Sequence, residues 1–420
     1  MIEVKLKDIT LNITDGKHGD CESEENSGFY FISCKDIYDG AIHYHRARQI
    51  TEYAYIDTHK RTMLEPNDIL VTNSGTIGRM ALVKNAPETF RTTFQKSVAI
   101  IKPNQEVVRP VYLYYSLLNC VNQFINQSNG AAQKNLLLGT MREFRLTIEE
   151  SVEQQDKIAN VLRTYDVLIE NNQKQIKLLE EAAQCLYKEW FVDLRFPGYE
   201  DVKIVDGVPE GWSCQFLDEV VGYEIGGGWG EESVTEKCDK PAYVIRGTDL
   251  YGITNGNISG IPYRYHANRN LEARALEDGD IIFEVSGGSK TEGVARTVLI
   301  RNTVLEFLRA PVMCASFCKL VRVNEKQYSQ LLFDTFQYMR GSGKTGEYDK
   351  KSASSIVNYR WKDFLSAEII LIPNDELLSK YNALSENIYQ LILKKSIEIE
   401  KTKEARDRLL PKLMSGEIKV

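Results

Sequence analysis

"EEAAQCLYKEWF", Glu180–Phe191, and "KEARDRLLPKLM", Lys403–Met414, set the same kind of stretch at two places in one chain: an acidic, alanine-bearing lead-in, then Leu, Lys and a bulky apolar pair. Such a recurrence is read as an internal repeat before any single motif is weighed. Walking back from the first copy, Ile158, Leu162, Tyr165, Ile169, Asn172, Ile176, Leu179, Ala183, Leu186 and Trp190 alternate steps of four and three. The second copy runs Tyr381, Ser385, Ile388, Ile392, Lys395, Ile399, Thr402, Arg406, Leu409 and Leu413, weaker but recognisable. Heptad spacing sustained over about five repeats predicts a coiled coil rather than a globular helix, whose apolar stripe would drift. The first helix, from about Val152 to Trp190, is expected to be near 60 Å long at about 1.5 Å per residue. Packed antiparallel about a common centre, the seams are expected to set Asn172 beside Ile399 and Lys395 beside Ile176, two polar side chains in an apolar stripe.

Upstream of each helix the match continues. "LEPNDILVTNSGTIGRMALV" (Leu64–Val83) parallels "LEDGDIIFEVSGGSKTEGVARTVLI" (Leu276–Ile300). "ISCKDI" at Ile32 parallels "IRGTDL" at Ile245, and "MREFRLTI" at Met141 parallels "WKDFLSAEI" at Trp361. Four matches in order give globular unit, long helix, globular unit, long helix. The join "RFPGYEDVKIVDGVPEGW", Arg195–Trp212, is broken by Pro197, Gly198, Pro209 and Gly211 and is expected to be a surface connection. Within each unit short β-branched and aromatic runs are cut by Gly, Asn and Asp turns, with one helical stretch such as "RPVYLYYSLLNCVNQFINQ". An α+β unit follows.

A chain of 420 residues exceeds one ordinary hydrophobic core, and 43% hydrophobic with 26% charged residues is the composition of a soluble protein. No apolar run approaches the roughly 20 residues of a membrane helix, and "MIEVKLKDIT" lacks the order of a signal peptide, so a cytoplasmic protein without a membrane partner is expected. Eight dispersed cysteines without C-x-x-C fit reduced thiols better than disulfides or a zinc site. A formal charge of −7 argues against a surface that coats nucleic acid throughout, but not against a local basic face.

Loops in both halves offer chemistry. "SGTIGR", Ser74–Arg79, combines glycine-freed backbone NH groups with Ser74, Thr76 and Arg79, a composition suited to phosphates; a plain tight turn is the alternative, and recurrence at "SGGSKTEG", with Ser286 and Lys290, favours binding. "DGKHGD" sets Lys17 and His18 between glycines where the second half has "GGGWGEE" and Trp229. "AAQKNL" offers Gln133, Lys134 and Asn135 to base edges and phosphates, and "GEYDKKSASSI" answers with Tyr348, Lys350 and Lys351, though solvated polar loops explain either equally well. "GSGKTG" at Gly341 looks like the end of a P-loop, but the place of the motif's first glycine is held by Tyr338 inside an apparent helix, which leaves Lys344 facing some other polyanion. No methyl-transfer N-P-P-Y or D-P-P-Y, dinucleotide G-x-G-x-x-G, H-E-x-x-H or nucleophile elbow is present, so no catalytic residue and no metal or cofactor site is expected.

The order of parts, with "GTIGRMALV", "GAAQKNL", the heptad helix ending "LYKEWFVDLRFPG", the restart "VPEGW" and the terminal "LLPKLMSGEIKV", closely resembles the DNA-specificity (S) subunits of type I restriction-modification systems along nearly the whole chain. The resemblance implies an α+β fold: two similar target-recognition domains separated by two long antiparallel coiled-coil helices, in a pseudo-twofold internal repeat. It assigns 1–150 and 196–374 to the recognition domains, the latter with its linker, and 151–195 and 375–420 to the conserved spacer helices. It implies that each domain reads one half of a bipartite site on double-stranded DNA. It further implies that two methyltransferase (M) subunits and the restriction/translocase (R) subunits assemble on the chain, and that S-adenosylmethionine, ATP and Mg are held by those partners only. The rival readings are a protein-binding adaptor built from repeated domains on a coiled coil, and a fused DNA methyltransferase or nuclease.

Overall fold

The apolar run Val98–Pro103 is too short for a helix and too continuous for a half-exposed strand, which marks a strand covered on both faces. In the computed structural model, which describes all residues except 46, 128–134, 288–292 and 352–355, this run is buried at all positions but Lys102. It lies inside a four-stranded antiparallel sheet built from β1 (Thr10–Asp15), β2 (Ile69–Thr72), β3 (Met80–Leu82) and β4 (Val98–Pro103), in the order β1-β4-β2-β3. The second half repeats it with β5 (Val221–Gly226), β6 (Ile281–Glu284), β7 (Thr297–Leu299) and β8 (Cys318–Val323), in the order β5-β8-β6-β7.

Each half adds a small sheet containing one parallel pair, Tyr30–Ile32 with Thr92–Phe94 and Lys240–Ile245 with Val312–Cys314. Each also pairs its first strand with the strand that precedes its long helix: Ile2–Lys5 with Arg145–Ile148, and Ser213–Phe216 with Ile369–Ile372. The expected internal repeat is therefore a repeat of topology, and both halves are α+β.

The long helices are α1 (Val152–Tyr187), whose final turn Lys188–Val192 widens to a π-helix, and α2 (Asp375–Met414). The chain divides into two compact units, Met1–Val167 with Glu404–Val420, and Leu168–Lys403. In the first, Ile13, Ile69, Ala99 and Ile101 of the sheet share a core with Tyr112, Leu113 and Leu117 and with Ile158, Leu162, Leu410 and Leu413 of the long helices. Gln154 reaches the Val420 carbonyl and Asp166 accepts from both Tyr115 and Arg406, so the helix segments run antiparallel. In the second unit Trp190 lies against Tyr381, ring centres 5.5 Å apart, while Asn172 lies by Lys395, the same antiparallel sense.

The seam is buried where the heptads place it, at Ile158, Leu162, Ile169, Asn172, Ile176 and Trp190. Trp190 against Tyr381 and Arg406 on Asp166 keep the expected register. Within it Lys395 Nζ reaches Asn172 Oδ1 at 3.5 Å, so the two polar side chains of the seam also meet each other. A four-carbon stem lets the ammonium slide along the seam to the carboxamide, which costs less than leaving either group against isoleucine. The linker also departs from a bare connection: it contains a short hairpin, Ile204–Val205 with Val208–Pro209, and buries Trp212 against Phe191 and Phe196. Among the described residues no helix is long and apolar enough to cross a membrane.

Under α2 the second unit buries Asp334, whose carboxylate accepts from Tyr381, Ser385 and Gln330. Burial outweighs those donors and raises its pKa to about 6. A carboxyl that holds its proton more tightly when folded makes stability fall as pH rises from about 4 to about 6, by roughly 3 kcal/mol. Asp334→Asn is expected to remove that slope. Urea midpoints measured between pH 4 and 7 for both proteins check it, and parallel profiles would contradict the assignment.

Candidate functional site

The loop after β2 is held by its own strand end. Arg79 NH donates to Thr72 Oγ1 at 2.9 Å and Gly78 NH to the Thr72 carbonyl at 2.9 Å, while Gly75 and Gly78 take positive φ values that side chains disfavour. Ser74 forms an antiparallel bridge with Asn135, and Leu136 NH donates to the Asn73 carbonyl at 2.8 Å, so two loops singled out in the sequence come together. Thr76 and Arg79 are exposed beside them. Gln133 and Lys134 lie outside the described residues.

The glycine of "DGKHGD" is dictated by a close approach: a Cβ at Gly16 would stand 2.0 Å from the Phe94 carbonyl oxygen. The chain then bridges Lys17 to Gln95, with Lys17 NH donating to Phe94 O at 2.9 Å and Lys96 NH to Lys17 O at 3.0 Å. Lys17 Nζ pairs with Asp57 at 3.0 Å, a hydrogen bond that raises its pKa. His18 points outward, 60% exposed, with Nε2 3.0 Å from one oxygen of Asp15 while Arg61 takes the other at 2.6 Å.

Between these elements lies an open bowl of about 230 Å³ lined by Ser33, Cys34, Lys35, Ser74, Gly75, Gln95 and Ser97. Only Ser74 of this set was singled out in the sequence. "ISCKDI" was visible as a repeat, whereas Gln95 and Ser97 carry no glycine, no charge and no motif. Their place is set by the parallel pairing of Tyr30–Ile32 with Thr92–Phe94.

The second unit has the same backbone at this place. A Cβ at Gly227 would stand 2.2 Å from the Ala315 carbonyl oxygen, and Gly227 NH donates to Cys318 O as Gly16 NH does to Val98 O. Trp229 thus stands where His18 stands, with the Arg264 guanidinium 4.3 Å from its ring centre and paired to Glu232 at 3.0 Å. Ser286 donates its hydroxyl to Asn358 Oδ1 at 2.9 Å, and Asn358 is also the cross-strand partner of the exposed Lys350, so Ser286, Asn358 and Lys350 form one polar row. Lys290 and the Lys351 side chain lie outside the described residues.

The exposed Lys344 and the buried Tyr348 both reach one buried acid. Lys344 Nζ pairs with Glu368 Oε2 at 2.6 Å and the Tyr348 hydroxyl donates to Oε1 at 2.6 Å, both on a carboxylate that is 5% exposed. Burial, then the neighbouring Glu368, pushes the Tyr348 phenol up to about 12. Lys344 thereby neutralises a buried acid. Among the described residues no group of three or more His, Cys, Asp or Glu is placed to hold a metal. The surfaces offer hydroxyls, amides, cations and an aromatic ring, which is chemistry for binding a polar, anionic partner.

Residues 2–181 match the family model for the type I restriction modification DNA specificity domain. The chain is 28% identical over 379 residues to the specificity subunit of the type I restriction enzyme MjaIX of Methanocaldococcus jannaschii, covering 89% of this chain and 82% of that protein. It is 24% identical to the MjaVIII specificity subunit of the same organism, over 99% of this chain and 92% of the relative. The fold is similar to the crystal structure of the type I restriction-modification system S subunit from M. genitalium, at 13% identity and a TM-score of 0.56, with 98% of this chain and 95% of that one covered.

Proposed function

We propose, from the premise that the chain belongs to the type I restriction-modification DNA specificity family, that each of its two units reads one half of a bipartite site on double-stranded DNA. The observation that carries this reading is a common backbone framework presenting different side chains. His18 and Trp229 each come two residues after a glycine, Gly16 and Gly227, that makes the same main-chain bond, and Thr72 and Glu284 each exchange the same pair of main-chain bonds with the strand that follows. Two readers of different half-sites need that combination, because the duplex backbone is the same at both while the base edges differ.

In this reading 1–150 and 196–374 are the recognition domains, and 151–195 with 375–420 are the spacer helices that receive two methyltransferase subunits and the restriction subunits. The chain itself carries no catalytic step and no cofactor. His18, Ser74, Thr76, Arg79 and Asn135 in the first unit, and Trp229, Ser286 and Lys350 in the second, are the proposed DNA contacts.

The test is affinity for duplex DNA across a salt series, with the methyltransferase subunit bound. Arg79→Ala is expected to weaken binding about equally for all sequences and to make the salt slope shallower by about 0.9, the value for one phosphate contact. Absence of salt-dependent binding by the wild-type complex would favour the adaptor reading.

A further inference from the structure

We infer that the bowl beside Ser74 and Gly75 is a base-reading site of the first unit and takes the N7 edge of a purine, with Gln95 and Lys35 as the specificity-determining side chains. The inference rests on the DNA-reading function proposed above and adds the chemical class of what this surface recognises.

The two units share the main-chain bonds around this bowl. Ser33 NH donates to Asp36 Oδ2 at 2.7 Å, and Arg246 NH to Asp249 Oδ2 at 2.9 Å. Gln95 NH donates to Ile32 O at 3.0 Å, and Ala315 NH to Ile245 O at 2.8 Å; Val98 NH donates to Gln95 O at 3.0 Å, and Cys318 NH to Ala315 O at 2.8 Å. On this common frame Asp36 recurs as Asp249 and Ser74–Gly75 as Ser286–Gly287, while the remaining lining side chains differ. Cys34 and Lys35 are answered by Gly247 and Thr248, and Gln95 and Ser97 by Ala315 and Phe317. In the second unit Arg246 is locked onto Asp249 by two bonds of 2.8 Å, and Phe317 is 53% exposed. A surface kept for phosphate contact would keep its donors in both units, since phosphates do not change with sequence. Retained backbone with exchanged side chains is what base readout requires.

The chemistry of the bowl selects the base. Ser33 spends its hydroxyl proton on Asp36 at 2.9 Å and Ser97 Oγ accepts from Cys34 NH at 3.4 Å, which fixes the floor. Gly75, at φ +77, puts no side chain over it. Lys35 is exposed and Gln95 half-buried on the lining, and no side-chain bond or ion pair to a described residue engages either one. They are therefore free to project an ammonium and a carboxamide toward a partner. In the major groove Lys pairs with guanine N7 and O6 and Gln with adenine N7 and N6; the acceptor common to both is N7, which pyrimidines lack.

The test uses the full chain with its methyltransferase subunit and duplexes in which each purine of one half-site is replaced in turn by its 7-deaza analogue. That analogue removes N7 and leaves pairing intact. One replacement in the half-site belonging to residues 1–150 is expected to weaken wild-type binding about tenfold, within the discrimination typical of one base contact. Gln95→Ala with Lys35→Ala is expected to bind the normal and 7-deaza duplexes alike, because a lost interaction cannot be lost twice. Gln95→Glu, which keeps the side-chain size and replaces a donor with an acceptor, is expected to show the same loss with an unchanged unfolding midpoint. The inference is overturned if no 7-deaza position matters. It is equally overturned if the variants lose affinity uniformly with a shallower salt slope, which is a phosphate contact. A wild-type complex that binds no duplex in any salt would instead remove the proposed function, and the inference with it.

Discussion

Replacing residues 1–150 by the same region of a relative is expected to change one half of the recognised DNA sequence and leave the other half as it was. The physical reason is that the first unit has cores of its own. Ile32, Leu70, Phe94 and Ile100 pack on one face of its sheet, and Ile13, Ile69 and Ile101 pack with Tyr112 and Leu113 on the other. The second unit closes a separate core around Phe283, Leu320, Phe336 and Phe364. The exchange is tolerated only if the donor keeps what the retained helix requires: apolar partners for Ile158 and Leu162, and an NH at position 109 for the Gln155 carboxamide, which also donates to the Glu149 carbonyl. Methylation-sensitive sequencing of a host carrying the chimera gives the answer. A change in both halves would show that the units do not read independently.

Arg296→Ala is expected to destabilise the second unit by about 3–5 kcal/mol, the range for breaking a buried ion pair from one side. Glu284, its side chain 2% exposed, receives Arg296 Nε at 2.8 Å and a terminal guanidinium nitrogen at 2.5 Å. Without the guanidinium the carboxylate is left in an apolar setting or must take up a proton. The pocket cannot close over it cheaply, since even a methyl group on Gly247 would stand 2.4 Å from Glu284 Oε1. The first unit avoids the issue by having Thr72 there, a hydroxyl that accepts the Arg79 amide. Urea unfolding should show the loss, and Arg296→Ala with Glu284→Gln should recover most of it. A loss below about 1 kcal/mol in the single variant would mean that solvent already screens the pair.

Much of the architecture was legible in the sequence because it is written in local spacing. A 3.5-residue period fixes which face of a helix is apolar whatever it later touches, so Ile158, Leu162, Ile169, Ile176 and Trp190 could be assigned to a seam and are buried. The matched Ser-Gly loops and the acidic turns ahead of them announced the same strand–loop–strand unit twice, and the sheets have the same strand order. The glycines at 16 and 227 were visible in matching places, but that each lies where a Cβ would meet a carbonyl oxygen is seen only in the structure.

The side chains that surround the candidate site were less legible. Lys344 looked like a free cation in a Gly-Ser loop, yet Glu368, twenty-four positions on, sits buried within 2.6 Å of it. An ion pair of that kind depends on which strand follows which helix, and no spacing rule encodes it. Lys35 and Gln95 carry no local signal for the same reason: they line one bowl only because Tyr30–Ile32 pairs in parallel with Thr92–Phe94.

The sequence by itself determined the repeat, the two long helices, the α+β character of each half and the family resemblance, since these rest on periodicity and on short-range turn chemistry. The tertiary structure alone decided that Asn172 meets Lys395, that Glu284 takes Arg296 while Glu368 takes Lys344 and Tyr348, and that Ser33–Lys35, Ser74–Gly75 and Gln95–Ser97 close one bowl. Those outcomes follow from the register of strands and helices distant in sequence, where each burial of a polar group is settled by whichever partner the packing brings within hydrogen-bonding reach.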